Sequence, residues 1–190
     1  MSDVAVIILT KNEVLHIGRC LERIAALSPR QVFVVDCFST DGTQRIVEEW
    51  QNDKIGQTHF LISVVEHEWP GNQAAQFQWA LDSLPIETKW VLRLDADEYL
   101  TDELIMEIKH KLLQLDDDVD GVILKRRHVV GWLGNRWIKR GMYPTKILRL
   151  FRKGYGRSDM KIMDEHIVVQ RRVVEFKHDF VDHSLNWVAD

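Results

Sequence analysis

The chain has 190 residues, 45% hydrophobic and 28% charged, with 25 Lys and Arg, 29 Asp and Glu, and a formal net charge of -4. That length can bury a sizeable core and suits one domain, or one with a small extension. Two cysteines, Cys20 and Cys37, exclude a disulfide framework and form no metal spacing, which fits a reducing compartment. No apolar stretch approaches the ~20 residues of a membrane span, and Val4–Leu9, with no basic residues before it, is too short for a secretory leader. A soluble or membrane-peripheral protein is expected.

Val4–Thr10 is a short, β-branched apolar run and reads as a buried strand. Asn12 is placed to cap a helix with Glu13 in its first turn, Val14, Ile17, Leu21 and Ile24 at helical spacing, and an end at Ser28-Pro29. Gln31–Asp36 is a second strand, followed by the turn Ser39-Thr40-Asp41-Gly42-Thr43 and a helix through Ile46, Val47 and Trp50. Ile62–Val65 is a third strand, and Gly71-Asn72 opens a helix through Phe77, Ala80 and Leu81. Trp90–Leu94 is a fourth, and Thr101 caps a helix with Asp102 and Glu103 in its first turn and Leu104, Ile108 and Leu112 toward the core. Strands are also expected over Gly121–Arg126 and Lys146–Phe151, in a less regular second half. Strand and helix alternate in the first half, which argues for an α/β fold with a mostly parallel central sheet and helices on both faces. In such sheets ligands bind beyond the carboxyl ends of the strands. Thr10-Lys11-Asn12-Glu13, Asp36 and Asp95-Ala96-Asp97 all fall there.

Charge is unevenly spread. Lys125 to Arg157 contains eleven Lys and Arg and no Asp or Glu, which suggests either an anionic partner or a solvated basic face. Trp132, Trp137 and Tyr143 lie within it and are candidates to stack on sugar rings or meet a membrane surface; no nucleic-acid motif accompanies them.

Asp95 and Asp97 stand two apart. In extended backbone such side chains share a face, and two neighbouring carboxylates repel unless a cation sits between them. Carboxylate oxygens suit Mg2+ or Mn2+, and Mg2+ commonly takes one or two of them plus substrate phosphate oxygens. The competing reading is a pair of turn residues before the helix at Thr101. Glu98 is expected to face away from the aspartates and to be structural.

"VAVIILTKNE", "VVDCFSTDGT" and "VLRLDADEYL", in this order and spacing, resemble the inverting family 2 glycosyltransferases of GT-A fold, in particular bacterial enzymes of lipopolysaccharide core or exopolysaccharide synthesis. The resemblance is good over about residues 3 to 105 and looser through "GMYPTKILRLFRK" and "MDEHIV". It implies one GT-A domain over residues 1–190, with 1–100 the nucleotide-sugar half and 101–190 the acceptor half. The ending Asn186–Asp190, without the tail many relatives carry, suits a short or truncated member. It assigns Thr10, Asn12, Glu13 and Asp36 to the nucleotide-sugar, Asp95 and Asp97 to the metal and through it the diphosphate, and Glu165 to the catalytic base. Asp164 competes for that last role, since the two face opposite sides of an extended segment. It also implies a glycan or lipid-linked glycan acceptor, a cytoplasmic location with peripheral contact at the inner membrane face, and Mn2+ or Mg2+ as cofactor.

Two departures bear on the donor. Cys37 stands where the family often has a second acid, and Gln76-Phe77-Gln78 where it often has a basic residue followed by Asn. A diphosphate contact is then expected from Arg140, Arg149 or Arg152. Cys20 reads as buried and Cys37 as lining the pocket. His166, His178 and His183 match no zinc spacing and read as surface residues, though one could complete a Mn2+ shell. The rival functions are a non-catalytic binder of sugar-nucleotide or glycan, and a haloacid dehalogenase-like phosphatase, which also carries DxD after an apolar strand.

Overall fold

Continuous apolar runs become central strands because both of their faces are covered. In the structure, a computed structural model describing residues 1–53, 60–130, 135–159 and 166–185, β1 (Ser2–Thr10) lies between β2 (Pro29–Asp36) and β4 (Trp90–Asp95), with β3 (Leu61–Glu66) outside β2, all parallel. Val4, Val6 and Ile8 face a core built with α1 (Ile17–Leu27), α2 (Thr43–Asp53) and α4 (Asp102–Lys111). Ala5, Ile7 and Leu9 face the opposite core, built on α3 (Gln73–Ser83). Helices therefore cover both faces.

Beyond β4 the sheet is mixed. β5 (Glu98–Leu100), β6 (Val119–Val130), β7 (Arg136–Trp137), β8 (Thr145–Arg152) and β11 (Arg172–Asp182) extend it in the order β3-β2-β1-β4-β8-β6-β11-β5, with β7 on β6. The antiparallel partners are β4 with β8, β8 with β6, and β11 with β5, while β11 runs parallel to β6. β9 (Arg157–Ser158) and β10 (Ile167–Val168) form a separate two-stranded ribbon.

Caps follow the sequence with one exception. Asn72 accepts from the Ala75 N–H and Thr101 from the Leu104 N–H, as capping residues do. Asn12 caps nothing: α1 starts at Ile17 after a turn, and Asn12 takes a left-handed conformation with φ 57°. Its side chain instead accepts from the Thr40 N–H at 2.9 Å. The neighbouring turn competed for the asparagine and won. α1 does end at the expected place, on a left-handed Ser28 just before Pro29 opens β2.

Candidate active site

The register of the parallel strands sets the site. Thr10 pairs with Asp36 and Leu9 with Asp95, so the strand ends of β2, β1 and β4 lie side by side. The two loops beyond β1 and β2 then lock together. The Asn12 N–H donates to Ser39 Oγ at 2.8 Å, Glu13 N–H to Thr43 Oγ1 at 2.7 Å and Val14 N–H to Asp41 Oδ2 at 3.0 Å. The Lys11 ammonium reaches the carbonyls of Cys37 and Phe38. This is where the polar residues of "LTKNE" and "STDGT" go.

Asp36 is fully buried and accepts from Thr10 Oγ1, Ser39 N–H, Ser39 Oγ and Gln44 Nε2 at 2.6–2.8 Å. Burial pushes its carboxyl up, but these donors outweigh it and hold the group below its ordinary range. Its oxygens shape the loop. Cys37 is buried, lines the cavity described next, and accepts from Gln76 Nε2 at 3.2 Å; burial, then the Asp36 charge, pushes its thiol up.

A cavity of about 550 Å³ opens over these strand ends. Its lining includes Thr10, Lys11, Glu13, Cys37, Trp69 and Gln73 together with Asp95, Asp97, Glu98, Arg126 and Asp182. Trp69, 48% exposed, offers an open ring there. Asp95 and Asp97 both line it, though not through extended backbone: β4 stops at Asp95, Ala96 and Asp97 form a turn, and β5 begins at Glu98.

The turn also redirects Glu98. It folds back, accepts the Asp95 N–H at 3.0 Å and receives Arg149 from β8. Arg149 Nη2 also reaches Asp95 Oδ2 at 3.0 Å, and Arg93 stands 3.5 Å from the other oxygen. Burial alone would raise Asp95, but the guanidiniums of Arg149 and Arg93 outweigh it and hold the carboxyl at about 2. For Glu98, burial dominates and pushes the carboxyl up to about 8 against the pull of Arg149.

Among the described residues Asp97 has no such partner. Burial raises its carboxyl to about 6, helped by the charges of Asp182, Asp95 and Glu13 and opposed by His16. Glu13 itself holds His16 Nδ1 at 2.6 Å. A cation beside Asp97 would relieve this repulsion. Among the described residues no three His, Cys, Asp or Glu converge as a metal cluster. Asp95 and Asp97 are donors of the kind a hard divalent cation takes when one or two carboxylates are completed by oxygens of a ligand.

The other predicted residues fall as follows. Arg140 is exposed and lines neither this cavity nor its neighbour, whereas Arg149 meets Asp95 and Arg152 donates to the carbonyls of Val119 and Asp116. Asp164, Glu165 and Trp132 lie outside the described residues. Trp137 packs edge-on to Tyr143 at 5.0 Å, with Arg127 and Lys139 each 4.3 Å from its ring centre, so its faces meet cations of the chain itself. Tyr143 donates to Asp179. Much of the basic segment is neutralised internally: Lys125 and Lys146 meet Glu175, Arg127 meets Asp179, and Arg126 and His128 face Asp182. His166 and His178 are at the surface, as read. His183 is not: it is 8% exposed, its Nδ1 accepts from Arg19 at 3.0 Å, and its other ring nitrogen meets Asn135. The pairing of β11 with β5 carries it inside. Arg126 and Asp182, both in the lining, carry no motif and were not singled out in the sequence.

An α/β sheet with these strand-end loops is a GT-A fold, and comparison with known proteins agrees. The structure superposes on S. aureus TarS residues 1–349 in complex with UDP-GlcNAc with a TM-score of 0.66, at 18% identity over 97% of this chain and 59% of that one. It superposes on the mannosyltransferase PcManGT of Pyrobaculum calidifontis, in complex with GDP-Man and Mn2+, with a TM-score of 0.53, at 28% identity over 66% of this chain and 36% of that one. The family profile "Glycosyl transferase family 2" matches residues 5–175. The chain belongs to glycosyl transferase family 2. Among curated proteins it is 34% identical over 110 residues to an uncharacterised glycosyltransferase of Rickettsia felis and 36% over 107 residues to one of Rickettsia conorii. It spans about a third of the length of these relatives, 34% and 33%.

Proposed function

We propose that this chain carries the donor site of a metal-dependent inverting glycosyltransferase. It would move a sugar from a nucleotide-sugar to a hydroxyl of a cell-surface glycan precursor, of lipopolysaccharide or exopolysaccharide type, at the cytoplasmic face of the membrane. The observation that carries the reading is that the register of β1, β2 and β4, with Thr10 opposite Asp36 and Leu9 opposite Asp95, brings three polar strand ends together at one cavity, beside Asp97, which among the described residues has no side-chain cation partner. Similar folds in complex with UDP-GlcNAc or with GDP-Man and Mn2+ support it. Among the described residues no helix is long and apolar enough to cross a membrane.

In this reading the loops of Asn12, Glu13 and Ser39, held by Asp36, form the nucleotide wall. Asp97, beside Asp95, would hold Mn2+ or Mg2+, which would supply positive charge against that of the departing diphosphate. Arg149 and Arg93 keep Asp95 ionised and fixed. Glu165 removes the proton of the acceptor hydroxyl as its oxygen bonds to the anomeric carbon and the bond to the diphosphate breaks, and this single displacement inverts the centre. Asp95, held by two guanidiniums, is poorly placed as the nucleophile of a phosphatase.

A screen of nucleotide-sugars for Mn2+-dependent turnover tests the proposal. Glu165→Gln should lower turnover by roughly 10²-fold or more, with donor affinity unchanged and Asp164→Asn largely spared. Full turnover by Glu165→Gln removes the base assignment, and donor binding with no turnover by the wild type favours the non-catalytic binder.

A further inference from the structure

A second cavity, about 470 Å³, adjoins the first and shares Gln73, Asp95 and Arg126 with it. Its charge is reversed. Among the described residues its lining holds Arg93, Arg126, Lys146, Arg149 and His166 against a single acid, Asp95. That acid is already taken by Arg149 at 3.0 Å and Arg93 at 3.5 Å. Ile147, Leu148 and Ile167 add an apolar side.

Two guanidiniums here are underused. Arg149 is 5% exposed, yet among the described residues only its Nη2 donates hydrogen bonds, to Asp95 and Glu98, and its Nε is buried without a partner. Arg126, at the junction of the cavities, donates no hydrogen bond among the described residues; it faces Asp182 at 3.8 Å, and its Nε is also buried without a partner. Buried N–H groups are nearly always paired in native proteins. A planar guanidinium with free donors suits the oxygens of a phosphate or carboxylate. Lys146, half exposed and resting on Glu175 at 2.6 Å, can turn toward the same space.

We infer that this second cavity takes the acceptor, and that the acceptor is anionic: a sugar bearing a phosphate or carboxylate close to the hydroxyl that is glycosylated. The inference rests on the proposed glycosyltransferase reading and narrows its acceptor class. The same anionic chemistry could come from the donor's diphosphate, so the test separates the two sources.

The full chain, with Mn2+ and a saturating nucleotide chosen among UDP, GDP and dTDP, is titrated with glucose 6-phosphate and with glucose as probes. Glucose 6-phosphate should bind about tenfold more tightly than glucose, the equivalent of one charge-assisted contact. Arg126→Gln should abolish that preference. Lys146→Gln, on an exposed side chain that lines only the second cavity, should weaken it without changing the nucleotide's Kd, and keeps the test usable should Arg126→Gln fail to fold. Weakened nucleotide binding in Arg126→Gln with the sugar-phosphate preference intact overturns the inference and gives Arg126 to the donor. A wild-type protein that binds nucleotide but shows no preference for glucose 6-phosphate overturns it outright. Failure of every nucleotide to bind overturns the parent reading, and this inference with it.

Discussion

Glu107→Gln should destabilise the fold by about 3 kcal/mol at neutral pH, through a carboxylate that closes a gap in the sheet. The parallel pairing of β11 with β6 breaks between Glu175 and Asp179. The N–H groups of Lys177 and His178, inside the break, turn to Glu107 of α4 at 3.0 Å each. The side chain is 3% exposed and also meets Lys111 Nζ at 2.7 Å and His178 Nδ1 at 2.9 Å. Burial pushes this carboxyl up; the Lys111 ammonium and the backbone donors overcome that and hold it at about 2, against an ordinary 4.5. A fall of that size is worth about 3 kcal/mol, or roughly 6–12 °C in Tm for a chain of this length. The group's folded value is depressed, so its contribution is complete above about pH 4.5 and is lost as pH falls toward about 2. Urea unfolding of wild type and variant should therefore give a gap of about 3 kcal/mol at pH 7 that shrinks below about pH 4. A gap under about 1 kcal/mol at pH 7, or one that persists unchanged in acid, refutes the reasoning.

Asp97 carries the opposite sign. Its carboxyl is raised to about 6, so its contribution is present below its ordinary 3.8 and lost as pH rises through about 6. Asp97→Asn should thus raise Tm at about pH 8 and leave it little changed at about pH 4, while removing any stabilisation by Mn2+; differential scanning fluorimetry with and without Mn2+ reads both. Arg149→Met strands the Asp95 carboxylate inside the fold, and breaking such a buried pair costs about 3–5 kcal/mol. Adding Asp95→Asn should restore part of that, and chemical denaturation of the single and double variants checks it.

The sheet's first half could be read because its signal is local. Val4–Leu9, Gln31–Asp36 and Trp90–Leu94 are buried runs bounded by caps and turns, and their polar ends name the functional edge. What could not be read depends on partners far apart in sequence. Glu98 turns inward because Arg149, 51 residues away, receives it. The basic segment stays open in sequence between an anionic partner and a solvated face because its counter-ions, Glu175, Asp179 and Asp182, arrive on β11. Asn12 has the composition of a cap, but the Ser39-Thr40 turn claims its side chain. The pairing of β5 with β11 brings Asp182 to the cavity and buries His183, and a three-residue strand leaves no period to detect.

The most direct test of the central claim is calorimetric titration of the chain with UDP, GDP and dTDP, each with and without Mn2+. The account predicts that at least one nucleotide binds, that Mn2+ tightens it by about tenfold or more, and that Asp97→Asn removes the metal effect. Binding that ignores Mn2+, or no binding by any of the three, contradicts it.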